Sequence, residues 1–177
     1  YGNTRFIFLD SEADGSVAPE QLVWLRSELA RPATQRAAFR VVCFHKPPWS
    51  QFWNGGGPTQ EPFVINEWVP LFRSQGVDLV ICGHEHAYTR GTTNGVVYVV
   101  SGGGGGALDT QRVAFWPHVK VEYSQYHFAI MSVNGRRMTW ETYDSGNRLL
   151  DEFTLVSRQA EVRIERQSQG GYHLRIE

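Results

Sequence analysis

Three continuous apolar segments constrain the fold of this sequence more than any other feature. They span Phe39–Phe44, Val77–Cys82 and Val96–Val100, and each ends abruptly in a polar or glycine-rich stretch. Short β-favouring runs of this kind, bounded by turn residues, are typical of strands buried on both faces. A fourth strand is expected at Thr4–Leu9. Helical segments precede two of the three runs, and this alternation favours an α/β layered fold over an all-β fold.

Two helices are predicted between these strands. The first begins near Pro19, because a missing N–H needs no partner in a first helical turn, and it ends before Pro32. Its inward face carries leucines at spacings of three and four: Leu22, Leu25 and Leu29. The second helix lies within Phe63–Gln75, and Gly76 is expected to end it. Its inward face is formed by Trp68, Leu71 and Phe72.

The character of the sequence changes in its C-terminal part. The predicted strands His127–Val133 and Arg136–Tyr143 flank Asn134-Gly135, a dipeptide typical of two-residue hairpin turns. A third strand is expected at Arg148–Val156, after a second polar turn. The sequence therefore predicts a C-terminal antiparallel meander beside the α/β part.

Length and charge limit the domain organisation and the partners. The chain has 177 residues, a length typical of one domain with at most an appendage. The last predicted strand of the meander ends at Val156, so we expect a domain at 1–156 and a C-terminal extension at 157–177, as edge strands or a tail. Its formal net charge of −1 creates no field that attracts nucleic acid or an anionic membrane. The apolar runs are also too short to span a bilayer. We therefore expect neither nucleic acid nor membrane as a partner.

The strongest chemical signal is the tetrapeptide Gly83-His84-Glu85-His86, directly after a buried strand. In extended backbone, two histidines at i and i+2 point to the same side and can reach one cation or two adjacent cations. His45 follows another predicted strand. Because ligands bind at the carboxyl ends of strands in open α/β sheets, we expect these three imidazoles to converge. Imidazole suits Zn, Fe, Ni and Cu.

Other interpretations of these histidines have less support. A cupin-like site needs a glutamate a few residues downstream, and residues 87–95 contain none. A zinc-peptidase helix needs histidines at i and i+4, which this segment lacks. A surface His-x-His can also have no function. The remaining histidines lack such a context and are expected to pack or to lie at the surface: His118, His127 and His173.

The two cysteines are expected to be thiols. Cys43 and Cys82 each lie near the end of an apolar run, where a thiol packs as a small hydrophobic group. A disulfide between neighbouring strands is the alternative. Two cysteines do not make a disulfide framework, so they leave the redox compartment open.

Five segments form an ordered set along the chain: Phe6–Glu12, Gln21–Leu25, Cys43–Trp49, Gly83–Arg90 and Val99–Gly104. In this order they resemble segments of the calcineurin-like metallophosphoesterases, and among these the purple acid phosphatases. The third resembles the family's strand-end histidine followed by prolines. The fourth resembles its Gly-His-x-His signature with a trailing tyrosine and arginine. The resemblance covers about residues 1–155.

This resemblance implies a partial α/β/β/α sandwich with mixed sheets and a metal-dependent hydrolase of phosphate mono- or diesters. It implies that His45 and His84 bind one metal of a pair of Fe, Zn or Mn, and that His86 binds the other. Tyr88 and Arg90 would support catalysis, and the substrate would be a phosphate ester. For the location, the family analogy alone points to a secreted or periplasmic protein.

The same resemblance predicts an incomplete site. The family's Asp-x-His, Gly-Asp and Asn-His-Glu elements would precede Tyr1, and Asp10 and Glu12 resemble no family ligand. Without a bridging carboxylate, repulsion between two cations would be uncompensated. We therefore expect the C-terminal part of a catalytic domain, with little activity alone and with the upstream half of the domain as its missing partner. A non-catalytic remnant and a module that binds one metal with the three histidines are the alternatives.

Overall fold

The computed structural model describes residues 1–12, 18–53, 60–158, 162–166 and 172–176, the last two ranges as backbone only. Residues 13–17 and 54–59 lie outside the described residues, and so does the side chain of His173. Among the residues that the structure describes, no helix is long and apolar enough to cross a membrane.

A six-stranded mixed sheet is the centre of the fold. Its strands are β1 (Thr4–Phe8), β2 (Phe39–Cys43), β3 (Leu79–Cys82), β4 (Tyr88–Thr93), β5 (Val96–Ser101) and β6 (Val119–Tyr123). Their spatial order is β1-β2-β3-β5-β4-β6. The first four in this order run parallel, and β4 is antiparallel to both of its neighbours. The four predicted strands of this sheet are confirmed, whereas β4 and β6 were not predicted.

Helices cover one face of this sheet. They are α1 (Ala18–Ala30), the short α2 (Pro32–Gln35), a π-helical segment (Val64–Trp68) and its continuation α3 (Val69–Ser74). The inward residues that the spacing predicts are buried against the sheet in one apolar cluster: Leu25, Leu29, Trp68, Leu71 and Phe72. Leu22 is partly buried against the same cluster. Gly76 has φ 66° after α3, which is the left-handed conformation expected of a helix-ending glycine.

A three-stranded antiparallel sheet covers the opposite face. It consists of β7 (His127–Asn134), β8 (Arg137–Asp144) and β9 (Leu149–Val156), so the predicted meander is confirmed. Met138 and Trp140 pack between the two sheets. The predicted turn was wrong by one residue. Asn134 pairs with Arg137, which leaves Gly135-Arg136 as the two-residue loop. Gly135 has φ 56°, and glycine takes such a positive φ at the first loop position without strain.

The last two strands form a sheet of their own. They are β10 (Val162–Arg166) and β11 (Tyr172–Ile176), which pair antiparallel. The described residues therefore form a mixed α/β fold of two packed sheets, with helices on the outer face of the larger sheet. Within these residues no helix covers the outer face of the smaller sheet. The domain boundary at residue 156 stays a prediction.

Neither cysteine forms a disulfide. Cys43 and Cys82 are free thiols on adjacent strands. Cys82 packs among the residues under the helices, whereas Cys43 packs between the two sheets. The two side chains therefore point to opposite faces of one sheet and cannot meet. Of the two expectations, the structure has the free thiols.

Candidate metal site

Parallel strands bring two of the three candidate histidines together. Strands β2, β3 and β5 end at one edge of the large sheet, which we call the rim. His45 follows β2, and its Nε2 lies 3.1 Å from Nδ1 of His84, which follows β3. The two rings meet edge to face with their centroids 5.0 Å apart. A backbone hydrogen bond from Gly83 N to His45 O, 3.1 Å long, ties the two strand exits together.

The backbone that carries the histidines differs from the expected one. Residues 83–87, which we call the histidine turn, are bent, and His84 has φ 68°. The premise of extended backbone at His84 and His86 was therefore wrong. A left-handed conformation is uncommon for a residue other than glycine. The conformation of His84 itself, rather than strand alternation, sets where its imidazole lies.

His86 stands apart from the other two imidazoles. Its Nδ1 donates a 2.7 Å hydrogen bond to Ala107 O, and its backbone N donates to Asp109 Oδ2 at 2.8 Å. A ring that donates through Nδ1 keeps Nε2 unprotonated in its neutral form, so Nε2 is the atom available to a ligand. Gly106 lies directly against this ring. His86 is thus oriented by the segment that follows β5, not by His45.

A carboxylate joins His45 and His84 instead. Within the described ranges, one group has potential metal-ligand atoms all within 4.8 Å of one another, and it consists of Glu12, His45 and His84. Glu12 follows β1 and forms a 2.9 Å ion pair with Lys46. This ion pair raises the pKa of Lys46. Sequence reasoning had set Glu12 aside because it resembles no ligand of the family.

The surroundings of His84 favour its neutral form. Partial burial lowers the pKa of His84, because a charged imidazole is poorly solvated there. The neighbouring His45 lowers this pKa further. The ring of Trp53 lies against it, with centroids 4.1 Å apart. Neutral imidazole is the form that binds metal, so the lowered pKa of His84 favours metal binding by this residue.

Glu85 lies inside the histidine turn and was not singled out from the sequence. It is fully buried, and its Oε2 accepts hydrogen bonds from Ser50 Oγ, from Gln51 N at 2.6 Å and from Phe52 N at 3.0 Å. Within the described residues its Oε1 has no hydrogen-bond partner. Burial raises the pKa of this carboxyl, and the three hydrogen bonds oppose the shift. Glu85 thereby ties the histidine turn to the loop after His45.

A second segment closes the side of the rim. Gln51 O accepts hydrogen bonds from Val113 N at 2.7 Å and from Ala114 N at 3.2 Å. Its side-chain Oε1 accepts one from Trp116 N at 2.9 Å. Trp116 Nε1 donates to Ser50 O at 3.0 Å. The loop after β2 and the segment before β6 thus form one connected wall beside the histidines.

Close approach of neighbouring residues explains the first two glycines that follow β5, Gly102 and Gly103. A side chain at Gly102 would collide with the carbonyl O of Glu85, and one at Gly103 would collide with the His127 ring. Gly104 has open space around it. His127 is buried, with Nδ1 2.9 Å from Gln125 O and Nε2 3.1 Å from Ser101 Oγ. His127 therefore has the packing environment expected of it.

Tyr88 and Arg90 lie between the two sheets. Asp151 on β9 accepts a 2.7 Å hydrogen bond from Tyr88 Oη and a two-bond contact from the Arg90 guanidinium, at 2.6 and 2.8 Å. The guanidinium also lies 5.0 Å from the centre of the Phe153 ring. We call Tyr88, Arg90 and Asp151 the Asp151 cluster. Tyr88 is fully buried, and its hydroxyl is bound to Asp151 rather than to a candidate metal ligand.

Comparison with known proteins adds independent information. The family model described as calcineurin-like phosphoesterase matches residues 3–88, a range that includes all three candidate histidines. Human tartrate-resistant acid phosphatase type 5 is 30% identical over 156 residues, which cover 82% of this chain and 45% of that protein. An uncharacterized protein of Mycobacterium tuberculosis (strain H37Rv) is 31% identical over 132 residues, covering 60% of this chain and 25% of that protein.

A solved structure supports the fold. The purple acid phosphatase PPD1 from yellow lupin (Lupinus luteus) seeds superposes with a TM-score of 0.76 at 23% identity. The superposition covers 88% of this chain and 31% of the lupin chain. At this identity the likeness shows a shared fold. The chain spans less than half the length of each of these three relatives.

Proposed function

This chain belongs to the calcineurin-like phosphoesterase family, and from this premise we propose that the protein it represents is a metal-dependent hydrolase of phosphate mono- or diesters. The observation that carries the proposal is the 3.1 Å approach of His45 Nε2 to His84 Nδ1 at the rim. Ligands bind at this edge of open α/β sheets, and two neutral imidazoles at one point suit a transition metal.

The family implies a metal pair, and the donors of this chain fit part of it. His45 and His84 would hold one cation, and His86 would hold the other through Nε2, its free ring nitrogen. Fe, Zn and Mn are the candidates. When bound, such cations activate water and neutralise charge on phosphoryl oxygens. The histidine turn and the wall beside it would fix the positions of these ligands.

A supporting role of Tyr88 and Arg90 belongs to the same proposal. Both residues lie at the start of β4, directly after the histidine turn, and both side chains bind Asp151 on β9. They would act by anchoring strand β4, so that the turn before it keeps its shape. This is a positioning role, since their polar atoms are engaged between the sheets.

Metal binding by the chain tests the proposal. We expect Zn²⁺ or Mn²⁺ to bind to the chain. His45→Ala and His84→Ala should each weaken the affinity at least about tenfold, because loss of a residue that only supports a metal ligand already costs about that much. His118→Ala is the matched control, because His118 packs against Trp49. Unchanged affinity in both ligand variants would refute the site.

Measurement of phosphate ester hydrolysis compares the activity of residues 1–177 with that of a longer protein. We expect hydrolysis of p-nitrophenyl phosphate by the longer protein with its upstream segment, and little hydrolysis by residues 1–177 alone. The missing upstream half would supply the acidic ligands that family members use. Absence of hydrolysis by the longer protein in Zn²⁺, Mn²⁺, Fe²⁺ and Mg²⁺ would favour a non-catalytic remnant.

One observation favours a second function for the isolated chain, a module that binds a single metal. The described residues contain one compact ligand group, which includes His45 and His84 and leaves out His86. A stoichiometry near one cation per chain, without hydrolysis, would support this function. A stoichiometry near two would support the dinuclear proposal.

A further inference from the structure

We infer that Glu12 is a metal ligand, and that one divalent cation such as Zn²⁺ binds between Glu12, His45 and His84. The inference rests on the proposed function for the two histidines and adds a ligand that the family resemblance does not supply. Its starting point is that the ligand atoms of these three residues all lie within 4.8 Å of one another.

The spacing of the two imidazole nitrogens fits a shared ion. Zinc binds histidine nitrogen at about 2.0–2.1 Å, so two nitrogens on a tetrahedral zinc are roughly 3.3 Å apart. His45 Nε2 and His84 Nδ1 are 3.1 Å apart. A small shift of the rings admits an ion between them. The third ligand must then approach from a different direction, and Glu12 comes from β1 rather than from β2 or β3.

Hydrogen bonds hold the backbone of Glu12 at the rim. Asp10 N donates to Gln21 Oε1 at 2.7 Å, and Gln21 Nε2 donates back to Asp10 O at 2.8 Å. Asp10 Oδ1 in turn accepts a 2.8 Å hydrogen bond from Glu12 N. These hydrogen bonds fix the backbone where it leaves β1, so the backbone of Glu12 is held at the rim independently of the contacts of its side chain.

Ser11 connects this segment to the strand exit that carries His45. Its Oγ accepts a 2.7 Å hydrogen bond from Lys46 N. Glu12 follows Ser11 and His45 precedes Lys46 along the chain, so the hydrogen bond lies between residues adjacent to the two that would share the ion. This hydrogen bond thus joins the chain after β1 to the chain after β2, next to Glu12 and His45.

Lys46 already places a positive charge on the Glu12 carboxylate. The pair is 2.9 Å long, with 29% of the Lys46 and 51% of the Glu12 side chain exposed. Water screens such an exposed pair, so it offers weak competition to a metal held by three ligands. Lys46 can also remain on one carboxylate oxygen while the other oxygen binds the ion.

The donor set suits the charge of the ion. Two neutral imidazoles alone leave the charge of a divalent cation uncompensated, and one carboxylate removes half of it. Two histidines and one glutamate are a known zinc set that leaves a fourth position open. His86 is not required for this ion, because its Nδ1 is bonded to Ala107 O and the ring lies outside the compact group.

Glutamine substitutions separate ligation by Glu12 from the charge of the region. Zn²⁺ affinity of the 177-residue chain would be measured by competition with a chromophoric chelator at pH 7 and 0.15 M salt. We expect Glu12→Gln to weaken binding at least about tenfold. Glu61→Gln is the matched control, since Glu61 also faces Lys46 electrostatically but is not in the ligand group. It should change the affinity less than about twofold, because Glu61 is outside the ligand group and salt weakens the effect of its charge on the ion.

The outcomes distinguish this inference from the function it rests on. If Glu12→Gln binds Zn²⁺ as tightly as the unsubstituted chain while His45→Ala and His84→Ala do not, the role of Glu12 is refuted and the histidine site stands. A loss in His86→Ala that exceeds the loss in Glu12→Gln would also refute it, in favour of the three-histidine set. If neither His45→Ala nor His84→Ala changes the affinity, the proposed metal site itself fails. Circular dichroism of each variant confirms that the chain is folded.

Discussion

The histidine turn at 83–87 and the start of β4 at 88–90 are consecutive in the chain, but different kinds of interaction hold them in place. Each depends on a buried carboxylate. Glu85 in the turn is bound by neutral donors only, and one of its oxygens lacks a hydrogen-bond partner within the described residues. Asp151 receives a phenol and a guanidinium that uses both carboxylate oxygens. One carboxylate holds loops together, and the other neutralises a charge between two sheets.

The difference separates a turn held by hydrogen bonds from neutral donors and a strand held by an ion pair. A buried ion pair with full hydrogen bonding tolerates little change, because removal of one partner leaves the other charge uncompensated. Hydrogen bonds from neutral donors need only an acceptor oxygen, so they can persist when the carboxylate is replaced by an amide. We therefore expect the histidine turn to tolerate a change at Glu85 better than β4 tolerates a change at Asp151.

The largest effect is expected from Asp151→Asn. The substitution keeps the shape of the side chain but leaves the Arg90 guanidinium without its counter-charge between the sheets. We expect the free energy of unfolding to fall by about 3–5 kcal/mol, measured by urea denaturation. Glu67→Gln is the control, because its 3.8 Å pair with Arg26 is exposed and should contribute less than about 1 kcal/mol. Equal losses of stability in the two variants would show that the ion pair of Asp151 and Arg90 stabilises the fold no more than an exposed pair does.

An intermediate effect is expected where the glycine loop touches the histidine turn. Gly102→Ala places a methyl group on the carbonyl O of Glu85, and rotation of a side chain cannot relieve a clash with backbone. We expect a loss of about 1–3 kcal/mol in the free energy of unfolding. Gly104→Ala, two residues later, meets no atom within 4 Å and should be close to neutral. If both variants unfold alike, the turn is not held by this approach.

The smallest effect is expected from Glu85→Gln. An amide oxygen can still accept the hydrogen bonds from Gln51 N and Phe52 N, and the substitution removes a buried charge that has no cationic partner. The free energy of unfolding should change by less than about 1 kcal/mol, in contrast to Asp151→Asn. A loss as large as that of Asp151→Asn would show that the charge of Glu85 is itself needed for folding.

The regular part of the fold was predictable because it follows hydrophobic pattern. Strands buried on both faces are apolar throughout, and helix faces repeat at three and four residues. Strand β4 was not predicted, since its sequence from Tyr88 to Thr93 is not a continuous apolar run and contains an arginine and a glycine. The signal was present nearby: Asn94-Gly95 is a typical hairpin dipeptide, and Asn94 and Gly95 have φ values of 54° and 79°.

The candidate site was predictable only in part. Residue type and strand-end position indicated that His45 and His84 would meet, and they do. The left-handed backbone of His84 was not predictable, because local sequence favours it only weakly outside glycine. The approach of Glu12 depends on hydrogen bonds among Asp10, Ser11 and residues far along the chain. Pattern within one segment carries no information about such contacts.

The placement of Cys43 and Cys82 on opposite faces of one sheet has a consequence for handling the protein. No oxidant can link the two thiols within the folded chain without turning one strand over. The covalent structure of the folded monomer is therefore the same with and without reductant. Its unfolding curve should not shift when dithiothreitol is added, and the fold is equally compatible with an oxidising and a reducing compartment.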